Sequence, residues 1–334
     1  GNKIKISCPN AMLMWFKVRA APDRKIQYNP HMPTFYPFSG VYAAAVTPLK
    51  SDSSPALDDL PFLLEFLARR GCHGVLLLGT TGEGPSFAAH ERVDIWRAAQ
   101  RARQALPSLR LLAGTGTPSL EETCLLTRAA FDEGMDGVVI LPPYYFRKVN
   151  DEGLFSWFSQ VLQRAVPSGG LVLGYHIPQV TGLGFSLDLL ARLREAFPER
   201  FAGIKDSSGD AGYAQQLGRR FGRDLFVLTG NDRLFSLALE NQAAGCITAM
   251  ANLASPWLRL IWNDHLEGHP APDIQERVTR ARLVLDQYPP MPPLLKALLA
   301  KQHAFPLWPV RPPLLPLHEQ LSQTVDAEFS NILE

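Results

Sequence analysis

From residue 40 onward, short apolar or β-branched runs recur along the chain, each followed by a Gly/Thr/Pro-rich turn and then by an amphipathic stretch. The runs fall at 41–46, 74–78, 111–113, 137–141, 171–175, 202–205, 225–228 and 246–249. A short continuous apolar run closed by turn residues predicts a strand buried on both faces. Helical spacing fills the intervals: 58–70, where Leu60, Leu63, Leu64 and Leu67 share one face, then 90–103, 119–131, 152–165, 186–196, 211–220 and 233–242. Ser119 ahead of Glu121 and Glu122, and Ser186 ahead of Asp188, predict N-caps followed by acidic first turns. Strands alternating with helices imply a parallel sheet, and the length of the series suits a closed (β/α)8 TIM barrel, with a doubly wound open sheet as the alternative. After Met250 the alternation stops and helical patterns follow one another at 256–266, 272–285, 293–301 and 318–333, the last set off by a proline-dense connector at 305–316. Three regions are therefore expected: an irregular arm over 1–38, the barrel over 39–250 and a helical appendage over 251–334.

Composition narrows the classes of function. With 334 residues and 46% hydrophobic content the chain can bury one large core. The formal net charge is +1 with no long basic run, which gives no footprint for nucleic acid or an anionic membrane surface. No apolar run approaches the roughly 20 residues of a membrane span, and the short run at 11–16 does not fit a signal peptide. Cys8, Cys72, Cys124 and Cys246 lie far apart, with no Cys-x-x-Cys pair and no histidine at ligand spacing. They read as reduced thiols of a cytoplasmic protein, with no metal site. The arm, broken by Pro9, Pro22, Pro30, Pro33 and Pro37 and basic in character, reads as a solvated extension.

In a barrel of this kind the chemistry sits at the C-terminal ends of the strands. The sixth run delivers Lys205 to its own end, whereas Lys50, Lys148, Lys296 and Lys301 fall in loops or helical patterns. A buried ammonium is costly unless it is paired or deprotonated, and a desolvated amine can condense with a carbonyl to a Schiff base. A lysine snorkelling to water fits the stretch equally well. The second run ends in Gly79-Thr80-Thr81-Gly82-Glu83-Gly84, a turn whose glycines admit a ligand and whose hydroxyls and amides can hold a carboxylate, or an ordinary βα turn. The fifth ends in Tyr175-His176-Ile177-Pro178, placing one strand from Lys205 a phenol that is either packed in the core or an acid–base group.

In combination, Lys205, the Gly-Thr-Thr-Gly-Glu turn and Tyr-x-x-Pro resemble the dihydrodipicolinate synthase and N-acetylneuraminate lyase family of pyruvate-dependent class I aldolases. Val46-Thr47-Pro48, Ala113-Gly114-Thr115-Gly116, Pro142-Pro143-Tyr144-Tyr145 and Gly230-Asn231-Asp232 extend the match over roughly residues 40 to 300. The resemblance implies Lys205 as the Schiff-base lysine, Tyr175 as the proton-transferring phenol, and Thr80 and Thr81 as relay and carboxylate holders. It implies Tyr145 as a side chain reaching across a dimer interface into the neighbouring site. The implied substrate-binding set is Gly79, Thr80, Thr81, Val180, Gly230 and Thr248. It further implies a 2-oxo acid substrate (pyruvate), a homodimer or homotetramer, and no cofactor, because the protonated imine is itself the electron sink. Four positions depart from the pattern: Val180 stands where the synthase carries a carboxylate-binding arginine, Asp232-Arg233 and Ala249 stand where the lyase branch has a sugar-binding Asp-Glu pair and a serine, and His176 replaces an asparagine. The expected activity is aldol cleavage or condensation of a 2-oxo acid. The alternatives are the synthase reaction with aspartate semialdehyde, dehydration or decarboxylation of a sugar-derived 2-oxo acid, and a non-catalytic binding barrel.

Overall fold

The computed structural model describes residues 37–333. In chain order its elements are β1 (Gly40–Ala44), α1 (Leu60–Arg69), β2 (Gly74–Leu77), α2 (Ala89–Arg103), β3 (Arg110–Gly114), α3 (Leu120–Asp132), β4 (Gly137–Ile140) and α4 (Asp151–Ala165). They continue through β5 (Val172–His176), α5 (Pro178–Thr181), α6 (Leu187–Ala196), β6 (Phe201–Asp206), α7 (Ala211–Phe221), β7 (Phe226–Thr229), α8 (Phe235–Glu240) and β8 (Gly245–Thr248). Helices α9 (Ala251–Leu266), α10 (Pro272–Asp286), α11 (Met291–His303) and α12 (Glu319–Leu333) complete them. The strands close in sequence order, β1 pairing in parallel with both β2 and β8, so the sheet is a barrel and not the open alternative.

The near-continuous apolar strands follow from burial on both faces. Tyr42, Leu76, Leu112, Val139, Leu173, Leu228 and Ile247 fill the barrel, while their neighbours Val41, Val75, Leu77, Leu111 and Val138 pack outward against the helices. This is the period-two alternation of a barrel wall. Phe38, placed in the arm by the sequence reading, lies in the barrel floor: its ring meets Phe226 edge-on at 6.4 Å, and a Cβ at Gly137 would sit 2.6 Å from its Cζ. Residues 1–36 of the predicted arm lie outside the described residues.

The predicted caps form, Ser119 accepting from the Glu122 amide and Ser186 from the Leu189 amide. Two elements differ from expectation. Ahead of the predicted start at Pro256, helix α9 carries an extra turn from Ala251, set off by a kink at Ala254 (φ −111°, ψ 21°), so that Pro256 lies in the first turn of the longer helical piece. The predicted helix at 233–242 is a 3₁₀ turn, Asp232–Leu234, followed by the shorter α8. The proline-dense connector runs back along the barrel, where the Trp308 indole donates to Asp59 (2.7 Å) and Arg311 makes a bidentate pair with Glu91 on α2 (2.8 and 2.5 Å).

Candidate active site

Lys205 and Tyr175 are register partners on β6 and β5. The pairing depends on a slip at the start of these strands: Val172 faces Phe201 and Leu173 faces Gly203, leaving Ala202 as the extra residue. Lys205 is 3% exposed and Tyr175 5%, and the Lys205 Nζ lies 4.1 Å from the centroid of the phenol ring. Gly230, just beyond β7, leaves the space in which the lysine stem runs. A Cβ there would lie 3.3 Å from Lys205 Cε and collide with Ser207 Oγ.

The turn after β2 supplies the facing side. Leu78 and Glu83 adopt left-handed backbone (φ 57° and 56°), and the turn closes through Gly84 N–H to Gly79 C=O (3.0 Å) and Glu83 N–H to Thr80 C=O (3.1 Å). Thr47, from the Val-Thr-Pro segment after β1, donates its hydroxyl to the Gly82 carbonyl (2.7 Å) and fixes the turn from below. Thr80 is thereby presented at the mouth with Oγ1 3.4 Å from the Tyr175 hydroxyl, while Thr81 is buried beside it. Burial pushes the Tyr175 phenol up, but the Lys205 charge and hydrogen bonds with Thr80, Lys205 and Ser207 outweigh it and bring the phenol below its ordinary value of 10.0. A phenol so placed can exchange protons with the lysine and the threonine. Ser207, two residues beyond Lys205 on the same chain turn, was not singled out from sequence.

The remaining predicted residues are placed as follows. Gly79 is buried at the base of the turn, beneath Thr80. Thr248 is turned away from the mouth: its hydroxyl donates to Asp232 and accepts from the Met250 amide (3.2 Å), because Ile247 takes the inward position on β8. Val180 is 53% exposed on the one-turn α5, which ends in left-handed Gly182 (φ 68°). Arg147 lies across that glycine, its Cδ 2.7 Å from where a Cβ would stand. Tyr145 is 76% exposed, its ring edge-on to Phe146 at 5.2 Å. His176 stacks on Tyr213 (4.5 Å), and its Nδ1 accepts from the Phe185 amide (2.9 Å). Burial holds this imidazole down at about 4, so it is a neutral structural group. Asp232, fully buried, holds Thr248 and pairs with Arg282 on α10 (2.7 Å), while Arg233 is exposed. Lys296, assigned from sequence to a helix away from the site, is a second buried lysine; its Nζ lies 2.6 Å from Glu83 of the Gly-Thr-Thr-Gly-Glu turn. Among the described residues no cluster of side chains is arranged to hold a metal ion, and no helix is long and apolar enough to cross a membrane.

A family model described as the dihydrodipicolinate synthetase family matches residues 37–332. An uncharacterized DapA-like lyase from Chloroflexus aurantiacus is 36% identical over 295 residues, covering 88% of this chain and 97% of its own. A 4-hydroxy-tetrahydrodipicolinate synthase from Methanosphaerula palustris is 32% identical over 234 residues, covering 69% and 77%. Among solved structures, dihydrodipicolinate synthase from Agrobacterium tumefaciens superposes with a TM-score of 0.81 at 29% identity, covering 88% of this chain and 99% of that one.

Proposed function

The chain belongs to the dihydrodipicolinate synthetase family, and on that premise we propose that it forms an imine between Lys205 and the C2 carbonyl of pyruvate or a related 2-oxo acid and uses it to make or break a carbon–carbon bond. The observation that carries the reading is the buried Lys205 amine against the Tyr175 ring at 4.1 Å, with Thr80 touching the phenol from the facing loop. The Lys205 nitrogen adds to C2, and the carbonyl oxygen leaves as water with one proton from the amine and one from Tyr175. The resulting iminium accepts the electron pair released when a C3 proton or the C3–C4 bond is lost. The enamine then adds to an aldehyde or is reprotonated, and water returns the free lysine. Thr80 relays the phenol's proton, and the Thr80–Thr81 segment with Gly79 holds the carboxylate of the 2-oxo acid. Gly230 keeps the lysine channel open.

Val180 makes an apolar contact where the synthase reaction calls for a cation, so acceptors without a second carboxylate are favoured. The exposed Tyr145 and Phe146 fit side chains that work across a subunit contact, which supports a homodimer or a homotetramer built from it. Buried free thiols at Cys72, Cys124 and Cys246 support a cytoplasmic location. Borohydride reduction in the presence of pyruvate tests the reading: mass spectrometry should find the adduct on the peptide that carries Lys205. An unmodified Lys205 would remove the mechanism.

A further inference from the structure

Three residues after Thr80, the chain sends a carboxylate down into the protein. Glu83 is 2% exposed, its Oε1 accepts from Lys296 Nζ at 2.6 Å, and its Oε2 accepts from the Arg311 amide at 2.9 Å. Lys296, on α11, also donates to the Pro309 carbonyl at 2.6 Å. Both oxygens of the carboxylate are thus engaged by the C-terminal region, one by a helix and one by the proline-rich connector. The Arg311 guanidinium continues the contact, donating to the Ser86 carbonyl (2.8 Å) within the same β2–α2 loop and to Glu91 at the start of α2.

The backbone above this pair has little freedom. The Glu83 amide is bonded to the Thr80 carbonyl, Gly82 is held by Thr47, and Gly84 lies so close to the Leu78 carbonyl that no side chain fits. A shift of the Glu83 carboxylate is therefore transmitted to Thr80 and Thr81. Apolar residues of similar size often serve a buried site as well as an ion pair does, so simple core filling gives no reason for charge here. Two charges whose other partners are backbone groups do fix one register between distant segments.

We infer that Glu83 and Lys296 are positioning residues for the active site: the pair sets the Thr80–Thr81 backbone that holds the carboxylate of the 2-oxo acid, and makes the C-terminal helices a working part of the catalytic unit. This rests on the imine reading of Lys205. The test is the pyruvate dependence of cyanoborohydride trapping on Lys205, which reports binding and imine formation whatever the acceptor. Glu83→Gln should raise the pyruvate concentration for half-maximal trapping about tenfold, the scale expected of a small misplacement. Lys296→Arg, which keeps the charge but moves it, should raise it less, and remains informative if the first variant does not fold. Val278→Ala, in the core of α10, serves as a variant destabilised away from the loop. It should melt lower yet trap with the parent's half-saturation. Equal half-saturation in parent, Glu83→Gln and Lys296→Arg overturns the inference, as does an equal rise in Val278→Ala. A parent that traps no pyruvate overturns the reading of Lys205 instead, and this inference with it.

Discussion

Among the residues of the proposed site Tyr175 has the most specific surroundings, since the phenol lies between a lysine and a threonine and is lowered below its ordinary value by the balance of their effects. Tyr175→Phe keeps the ring under Lys205 and removes only the proton carrier. Turnover should fall by roughly 10² to 10⁴, the contribution of a positioned acid or base, while pyruvate is still trapped on Lys205. Near-normal turnover would take the phenol out of the mechanism. At position 180 the exposed valine leaves room for a longer side chain at the mouth. The parent should condense pyruvate with aspartate semialdehyde weakly, and Val180→Arg should raise that rate on the order of tenfold, the worth of a charge-assisted contact. A parent that uses aspartate semialdehyde as well as its best substrate would refute this. Arg147, lying against Gly182, is then the cation to remove. That Lys205, Tyr175 and Thr80 would come together was legible in the sequence because each sits at or just after the end of an apolar run. Thr248 could have been oriented by strand alternation, Ile247 being the inward residue. Lys296 carried no such signal: its partner Glu83 lies 213 positions away, and only the closed fold makes them neighbours.

At the scale of elements, the strand pattern survived folding with end shifts of one or two residues, because burial on both faces leaves a strong apolar signature. Helix ends were less readable where tertiary bonds override local preference. The segment after β7 illustrates this, for Asp232 opens a 3₁₀ turn in which Asn231 caps the Arg233 amide, while its own carboxylate is drawn to Thr248 and Arg282. That carboxylate joins β7, β8 and α10 with no solvent access. Asp232→Ala should destabilise the protein by roughly 1 to 3 kcal/mol, since Thr248 loses its acceptor and the half-buried Arg282 keeps only Asp286 (2.7 Å) as a partner. Adding Arg282→Leu should restore part of the loss by removing a charge left with Asp286 as its one carboxylate partner. Denaturant unfolding of the two variants checks this, and a double variant no more stable than Asp232→Ala would show that the carboxylate acts through Thr248 and not through the ion pair.

Over the whole molecule, the acid side of the stability profile is governed by imidazoles that the fold keeps neutral. His73, at the floor of the barrel, accepts from the Val41 amide at 3.0 Å and packs against Trp262 at 4.7 Å. Burial, assisted by Arg259, brings it down to about 4 from 6.5, and burial brings His176 down to about 4 in the same way. Both folded values lie below the unfolded value, so the unfolded chain binds these protons more tightly. The contribution to stability is therefore complete above pH 6.5 and is lost as the pH falls from 6.5 towards about 4. Each group supplies on the order of 2 to 3 kcal/mol across that window. Glu91 acts in a lower window: its hydrogen bond to Arg311 is the main influence bringing it from 4.5 to about 2, so its contribution fades only as the pH falls below 4.5. Denaturant midpoints measured against pH should accordingly be flat above 6.5 and fall in two stages. His73→Gln, whose amide oxygen can still accept from Val41, should reduce the slope of the upper stage, to which His176 and the buried His303, also brought down to about 4, contribute as well, and leave the lower one as it was. If the upper stage kept its full slope in His73→Gln and in His176→Gln alike, neither imidazole would contribute to the acid sensitivity.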